Sequence, residues 1–286
     1  MGDTIRFAKK SDKDQMLEIC RNVWNGRDYL LRSIDNWLGA EDGLVAVVEN
    51  DGEIRAFSKL AFLYKKHGWL EGLRVKEEHR GKGYAYLLTK FYVEKAKEMQ
   101  LDSLRFATHK TAIGSIKSGL KYGFDVKDRY YSVLSEDPKS QQQKHKVVRC
   151  TDYNRALNLM QSVEEYKLTY GLYFDMHWKF IPIAAETIKQ LCQKERVLMT
   201  EDGKSIMAYK KEGDDVRIVF YGGTIQGVQD LLTEVIKEQQ GLELKTMLIP
   251  NSKHIETFVR SGFHERDQKA IGKEPNALLF EFNQLK

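Results

Sequence analysis

Two hydrophobic periods alternate along the chain. Residues 4–8, TIRFA, read as a short strand. Residues 11–24, SDKDQMLEICRNVW, set Met16, Leu17, Ile19, Cys20 and Val23 at helical spacing behind Ser11, a residue type that caps helices. A second helix is predicted over YLLRSIDNWL. The runs GLVAVVEND, EIRAFSKLAFLY and GWLEGLRV then read as strands, and the Asp51-Gly52 and His67-Gly68 pairs between them are the turn signals of an antiparallel meander. Beyond them YAYLLTKFYVEKAKEM reads as helix, SLRFATH as strand, AIGSIKSGLKYGF as helix and VKDRYYSVLS as strand. The predicted order is β-α-α-β-β-β-α-β-α-β.

The pattern breaks at residues 135–146, SEDPKSQQQKHK, where a proline, a glutamine run and the lack of any apolar period indicate a linker. After it the order restarts. KVVRCTDYNRALNLM matches the first strand, its Asp-containing turn and its helix. RVLMTEDGKSIMAYKKEGDDVRIVFYGG matches the meander, with Asp202-Gly203 and Gly213-Asp214 at its turns, and IQGVQDLLTEVIKEQ matches the long helix. LKTMLIP, KHIETFVRSGF and NALLFEFN follow like the later strands and helix. The expected organisation is a duplication, with domains at residues 1–137 and 145–286. The aromatic stretch YKLTYGLYFDMHWKF in the second half reads either as domain core or as the wall of a pocket.

At 286 residues the chain has room for two ordinary domains of about 100 to 200 residues each. Its 42% hydrophobic and 30% charged residues fit a globular protein, and no apolar run approaches the roughly 20 residues that span a bilayer, so no membrane association is expected. The start MGDTIRFAKKSDKD lacks the apolar stretch of a secretion signal, and Arg6 stands where a myristoylation signal has Ser or Thr. Cys20, Cys150 and Cys192 have no paired spacing, so neither a disulfide framework nor a metal site is expected, and the cytoplasm is the natural setting. The net charge of +5 is spread among acidic residues instead of being gathered in blocks, which argues against sequence-specific nucleic-acid binding.

One stretch carries more chemistry than the rest. In LRVKEEHRGKGYA a strand hands over to a helix through Arg80, Gly81, Lys82 and Gly83. Such a turn offers unpaired backbone N–H groups and the positive end of a helix to an anion, and its glycines let a phosphate approach the backbone. A glycine-containing turn with a solvated basic rim would read the same. Two nucleotide motifs fail: Tyr84 follows Gly83 where a Walker loop needs Ser or Thr, and a dinucleotide fingerprint needs a small residue at Tyr86 within a parallel frame.

Arg80-Gly81-Lys82-Gly83-Tyr84-Ala85, the strand WLEGLRV before it and Gly123-Phe124 closing the later helix resemble the GNAT superfamily of acyl-CoA-dependent N-acetyltransferases over residues 3–134. GRDYL, the tryptophan helix after it and EGLRV are similar to the subgroup containing histidine N-acetyltransferase. The resemblance implies a mixed, mostly antiparallel GNAT sheet flanked by helices, with a second, degenerate GNAT-like half. It implies acetyl-CoA as cosubstrate, held by residues 80–85 at its pyrophosphate and by Leu73, Arg74 and Val75 along its pantetheine arm. The second half has FYGGTIQG at the matching place, with no basic residue before the glycines. A structural or substrate-covering half without coenzyme is therefore expected.

Attack of an amine on a thioester needs a base, an oxyanion donor and a route for the departing thiolate. Glu71, four residues before Val75, is the expected base; as an alternative it is a surface or ion-paired carboxylate, with Arg74 as its partner. His67 and His109 are weaker candidates. The resemblance puts an acid tyrosine at the position of Gly119 and an asparagine near Ala112, and this chain has neither. Tyr122, Tyr131 or Ser115 are substitutes, Tyr122 first, and solvent is another. Oxyanion stabilisation is expected from the Leu73–Val75 backbone. Trp24, Arg27 and Tyr29, together with Asp28 and Trp37, are the expected acceptor wall, with Arg27 facing a carboxylate, although the tryptophans would equally serve as packing. The function expected is acetylation of a small-molecule primary amine, such as the α-amine of an amino acid, by a monomer or dimer. A non-catalytic acyl-CoA-binding regulatory module, or a protein or peptide N-acetyltransferase, is the alternative.

Overall fold

The structure is a computed structural model and describes residues 2–285. In chain order the elements begin with β1 (Thr4–Phe7), α1 (Lys13–Cys20), α2 (Leu30–Gly39), β2 (Gly43–Asn50), β3 (Glu53–Tyr64) and β4 (His67–Val75). They continue with α3 (Tyr84–Glu98), β5 (Ser103–His109), α4 (Ile113–Lys121), β6 (Phe124–Ser135), β7 (Val147–Arg149), α5 (Tyr153–Ser162), α6 (Glu164–Leu168) and β8 (Leu172–Phe174). The last are β9 (Phe180–Pro182), α7 (Ala185–Gln193), β10 (Val197–Thr200), β11 (Ile206–Glu212), β12 (Asp215–Gly222), α8 (Ile225–Glu238), β13 (Leu244–Leu248), α9 (Ile255–Arg260) and β14 (Ala277–Phe282). The chain folds as two compact units, one of residues up to Asp128 with those from Leu279 on, the other Arg129–Leu278.

The first unit carries strands β1-β2-β3-β4-β5 in that order, antiparallel except that β5 runs parallel to β4. Met16, Cys20, Leu30, Ile34 and Trp37 from α1 and α2 pack with Val45, Val47 and Phe57 on one face. Burial of each such large apolar side chain is worth about 1.5–3 kcal/mol, which is why the apolar period of these helices specifies their docking. Helix α3 covers the other face, where the Tyr92 hydroxyl donates to the Ser58 carbonyl and accepts from the Ala46 N–H at 2.8 Å, tying β2 to β3.

Two local expectations change. Ser11 is not the cap of α1; Asp12 precedes that helix, and its buried carboxylate accepts from the Lys9 N–H at 2.7 Å and from Arg6 at 2.6 Å. The first helix also stops at Cys20 instead of running to Trp24. Trp24, Asn25 and Gly26 are all left-handed, with φ of 48°, 55° and 77°, which an α-helix of L-residues cannot continue through.

In the second unit the last residues of β6 pair with β13, and the order continues β12-β11-β10-β7. Here β10, β11 and β12 are an antiparallel meander and β13 runs parallel to β12, the arrangement that β2, β3, β4 and β5 have in the first unit. Of the aromatic stretch, Leu172, Tyr173, Phe174 and Phe180 are core, with the rings of Tyr130, Phe174 and Phe180 5.0–5.4 Å apart. The expected linker is strapped down: the Asp230 carboxylate on α8 accepts from the Lys144 and His145 N–H groups at 3.1 and 2.9 Å.

The two compact units depart from the expected bounds of 1–137 and 145–286 in two places: residues 129–137 belong to the second unit, and the end of the chain belongs to the first. Residues from Leu279 on fold with the first unit, where Phe280 stacks on Phe106 at 4.6 Å and Glu281 pairs with Arg105 at 2.9 Å and Lys127 at 2.8 Å. Alternation in ALLFEF marks a strand, but the partner that captures it lies some 170 residues away in sequence. Among the described residues no helix is long and apolar enough to cross a membrane.

Candidate functional site

Strand β4 is where the first unit departs from a regular sheet. Its register with β5 covers only His67↔Ser103, Gly68↔Leu104 and Trp69↔Arg105 and ends there, while its register with β3 runs on to Val75. Between Glu71↔Lys59 and Arg74↔Phe57, Gly72 and Leu73 together face Ser58 alone, which is a β-bulge. Gly72 is left-handed at φ +62°, and a Cβ there would lie 2.1 Å from Cη2 of Trp37, so the bulge is seated directly on that indole. The extra residue re-phases the strand. Simple alternation would put Trp69, Glu71 and Leu73 on one face; in the structure Trp69, Glu71 and Arg74 share the face covered by α1 and α2.

Past β4 the chain reaches the glycine turn. Gly81 and Gly83 are left-handed at φ +80° and +91°, and a Cβ built on either meets no described atom within 4 Å. Gly83 is the N-cap of α3 and has no side chain of its own to cap the first N–H groups of that helix. Open backbone donors at the start of a long helix suit an anion. Arg80 and Lys82 are exposed, Arg80 standing 3.8 Å from Glu77 and Lys82 3.1 Å from His79. The Tyr84 side chain turns inward instead, its hydroxyl donating to Asp3 and accepting from Arg55, both at 3.1 Å, so only its backbone belongs to the turn. Glu53, Glu78 and His79 lie close enough to share a metal ion, but the Lys76 ammonium sits on both carboxylates and already supplies the cation.

On the α1–α2 side Arg74 meets a carboxylate that the sequence reading did not pair with it. Arg74 donates to both oxygens of Asp28, Nε to Oδ2 at 2.7 Å and Nη2 to Oδ1 at 2.8 Å. Its guanidinium carbon lies 4.8 Å from the Trp24 ring and 5.8 Å from the Tyr29 ring. Burial pushes the Tyr29 hydroxyl well above the ordinary phenol value, and the Glu71 charge pushes it further; the register of β4 puts Glu71 on the same face as Arg74. Trp24, Asp28, Tyr29, Trp37, Glu71 and Arg74 are thus brought together. Arg27 is exposed, with its Nε directed at the Trp24 carbonyl at 3.5 Å.

The other candidates stand apart from this cluster. Tyr122 caps α4 and packs on Tyr86 at 5.5 Å and Phe282 at 6.4 Å, with its hydroxyl pKa raised by burial and by Glu94. Gly119 lacks room for a tyrosine, since a Cβ there would stand 2.6 Å from Phe106. His67 is bonded to Ser103 at 2.8 Å and His109 to Thr111 at 2.7 Å, and burial lowers the His67 pKa. Ser115 is half-buried on α4, and Tyr131 belongs to the second unit, its hydroxyl bonded to the Lys273 carbonyl at 3.4 Å. The sequence had no signal for the Asp28–Arg74 bond, which joins residues 46 apart.

Residues 13–124 match the acetyltransferase (GNAT) family. Two curated relatives, the histidine N-acetyltransferases of Scomber australasicus and Xenopus tropicalis, are 30% and 29% identical over 97 and 92 residues, or 34% and 32% of this chain. The chain spans only 29% and 28% of the length of those proteins. Among solved structures, a GCN5-related N-acetyltransferase from Sphaerobacter thermophilus superposes with a TM-score of 0.68 at 11% identity, over 98% of this chain and 95% of that one. A putative acetyltransferase from Pyrococcus horikoshii gives 0.62 at 14%, over 98% and 89%. At such identities the likeness is one of fold.

Proposed function

We propose, from the premise that residues 13–124 form a domain of the acetyltransferase (GNAT) family, that the first unit transfers an acetyl group from acetyl-CoA to a primary amine. The observation that carries this reading is the parting of β4 from β5 after Trp69, at a strand that ends in an open, uncapped glycine turn. The turn fits a pyrophosphate, with room at Gly81 and Gly83 and basic side chains at Arg80 and Lys82. The unpaired edge of β4 offers the backbone of Leu73 and Val75 to an extended arm, and bulged backbone N–H groups to a developing oxyanion. What the cosubstrate supplies is an activated acyl group.

Glu71, on the face of β4 that α1 and α2 cover, takes the role of general base. The acceptor amine gives up a proton to it, the N–C bond forms as the C–S bond breaks, and a solvent proton neutralises the departing thiolate. Solvent is assigned that last role because Phe106 fills the space at Gly119 and Tyr122 packs against Tyr86. The similarity to histidine N-acetyltransferases over about a third of the chain supports the α-amine of an amino acid as the acceptor.

The second unit is read as a degenerate copy without coenzyme. At its matching turn Glu165 Oε2 accepts from the Gly223 N–H at 3.1 Å, and Thr224 caps α8 by accepting from the Gly227 N–H at 3.0 Å. A carboxylate and a hydroxyl of the protein thus occupy the donors that a phosphate would need. Free thiol release from acetyl-CoA in the presence of individual amino acids and polyamines tests the whole reading, and no release with any of them would count against it.

A further inference from the structure

We infer that Asp28 and Arg74 are a positioning pair that fixes the acceptor wall and the β4 bulge together, an inference that rests on the acetyl-transfer reading. Neither residue is assigned to touch the reacting atoms. Three observations carry it.

The first is burial. The Asp28 side chain is fully buried, that of Arg74 is 13% exposed, and the two meet in a bidentate fork. Desolvation offsets most of the attraction in such a pair, so net stability does not explain why one stands beside the bulge. The second is connectivity. Arg74 Nη1 donates to the Leu73 carbonyl of the bulge at 3.0 Å, while the flat face of the guanidinium lies against Trp24 and Tyr29. Asp28 Oδ1 also accepts from the Leu30 N–H at the start of α2 at 3.2 Å. One planar group therefore holds the bulge, the loop between α1 and α2 and two aromatic rings in a single register, a geometry that a fork of fixed donors supplies and an ammonium does not.

The third is strain. Trp24 and Asn25 are both left-handed, and such residues persist only where their surroundings over-determine them. Trp24 is held by the Arg27 N–H on its carbonyl at 3.3 Å and by the Arg74 guanidinium 4.8 Å from its ring, while the residue stays 60% exposed and open to a ligand. The pair therefore governs how an acceptor is seated relative to Glu71 and leaves the phosphate turn untouched.

The test uses full-length Asp28→Asn and Arg74→Lys proteins, with the amino acid or polyamine that gives the fastest thiol release from acetyl-CoA as acceptor. The acceptor KM should rise by about tenfold or more in both, the scale of a lost charge-assisted contact, and by clearly more than the acetyl-CoA KM, which the bulge beside the coenzyme arm also influences. Trp24→Ala, on the exposed loop, should repeat the defect even where the buried variants fold poorly, and Trp24→Phe, which keeps a ring over Arg74, should show a smaller rise than Trp24→Ala. Unchanged acceptor KM values with only a lower melting temperature would overturn the inference, as would an acetyl-CoA KM that rises in step. If the wild-type protein releases no thiol with any amine, the acetyl-transfer reading fails and this inference with it; active wild type beside unaffected variants defeats the positioning role alone.

Discussion

The indole of Trp37 occupies the space in which a side chain at Gly72 would stand, 2.1 Å from the Cβ that glycine lacks. The bulge on β4 is thereby shaped from the helix side, by a residue that the hydrophobic pattern alone assigns to the core of α2. Gly72→Ala would force an L-residue into φ +62° and drive it into the ring. These effects cost about 1–3 kcal/mol each, so a loss of roughly 2–6 kcal/mol is expected in denaturant unfolding of the first unit. A variant as stable as wild type would mean that the bulge does not depend on this contact.

Gly83 offers the opposite case. A Cβ there meets nothing, so Gly83→Val costs only the backbone strain of φ +91°, about 1–3 kcal/mol, while placing a branched side chain over the first N–H groups of α3. Calorimetry should find one acetyl-CoA site per wild-type chain and none in the variant, with circular dichroism unchanged. Undiminished affinity would remove the turn from the site.

The meander, the long helix and the glycine turn were legible because each is specified by neighbours in sequence: apolar period, Asp-Gly and His-Gly turns, and the residues Arg80 to Ala85 themselves. The shift of phase at Gly72 was not, since it takes one extra residue opposite Ser58 to exchange Leu73 for Arg74 on the helix-facing side. Asp28 was visible only as a polar residue in a loop, and its partner is set by the folding of β4 against α1 and α2. The capture of residues 279–282 by the first unit is likewise a choice between sheets, which alternation in ALLFEF does not encode. The lack of a tyrosine at Gly119 was legible in sequence, but the ring of Phe106 on β5 that fills the space beside it was not.

In the second unit, burial alone would raise the Glu165 carboxyl pKa, but bonding to buried His254 at 2.8 Å, together with backbone N–H groups including that of Gly223, holds it below the ordinary 4.5. A carboxyl lowered by folding contributes stability that is full above 4.5 and is lost as pH falls through the lowered value. Thermal melts of wild type and Glu165→Gln should therefore differ at neutral pH and converge as the pH drops below about 4.5. Curves that stay parallel through that window would show that Glu165 is not linked to folding.

Glu71 is proposed to take the proton of an acceptor amine beside the bulge. The direct measurement is the turnover of Glu71→Gln against pH, with acetyl-CoA affinity measured alongside. General base catalysis contributes about 10² to 10⁴ fold, so turnover should fall on that scale near neutral pH, recover as free amine accumulates at high pH, and leave acetyl-CoA affinity unchanged. Turnover equal to that of wild type across the pH range would contradict the account.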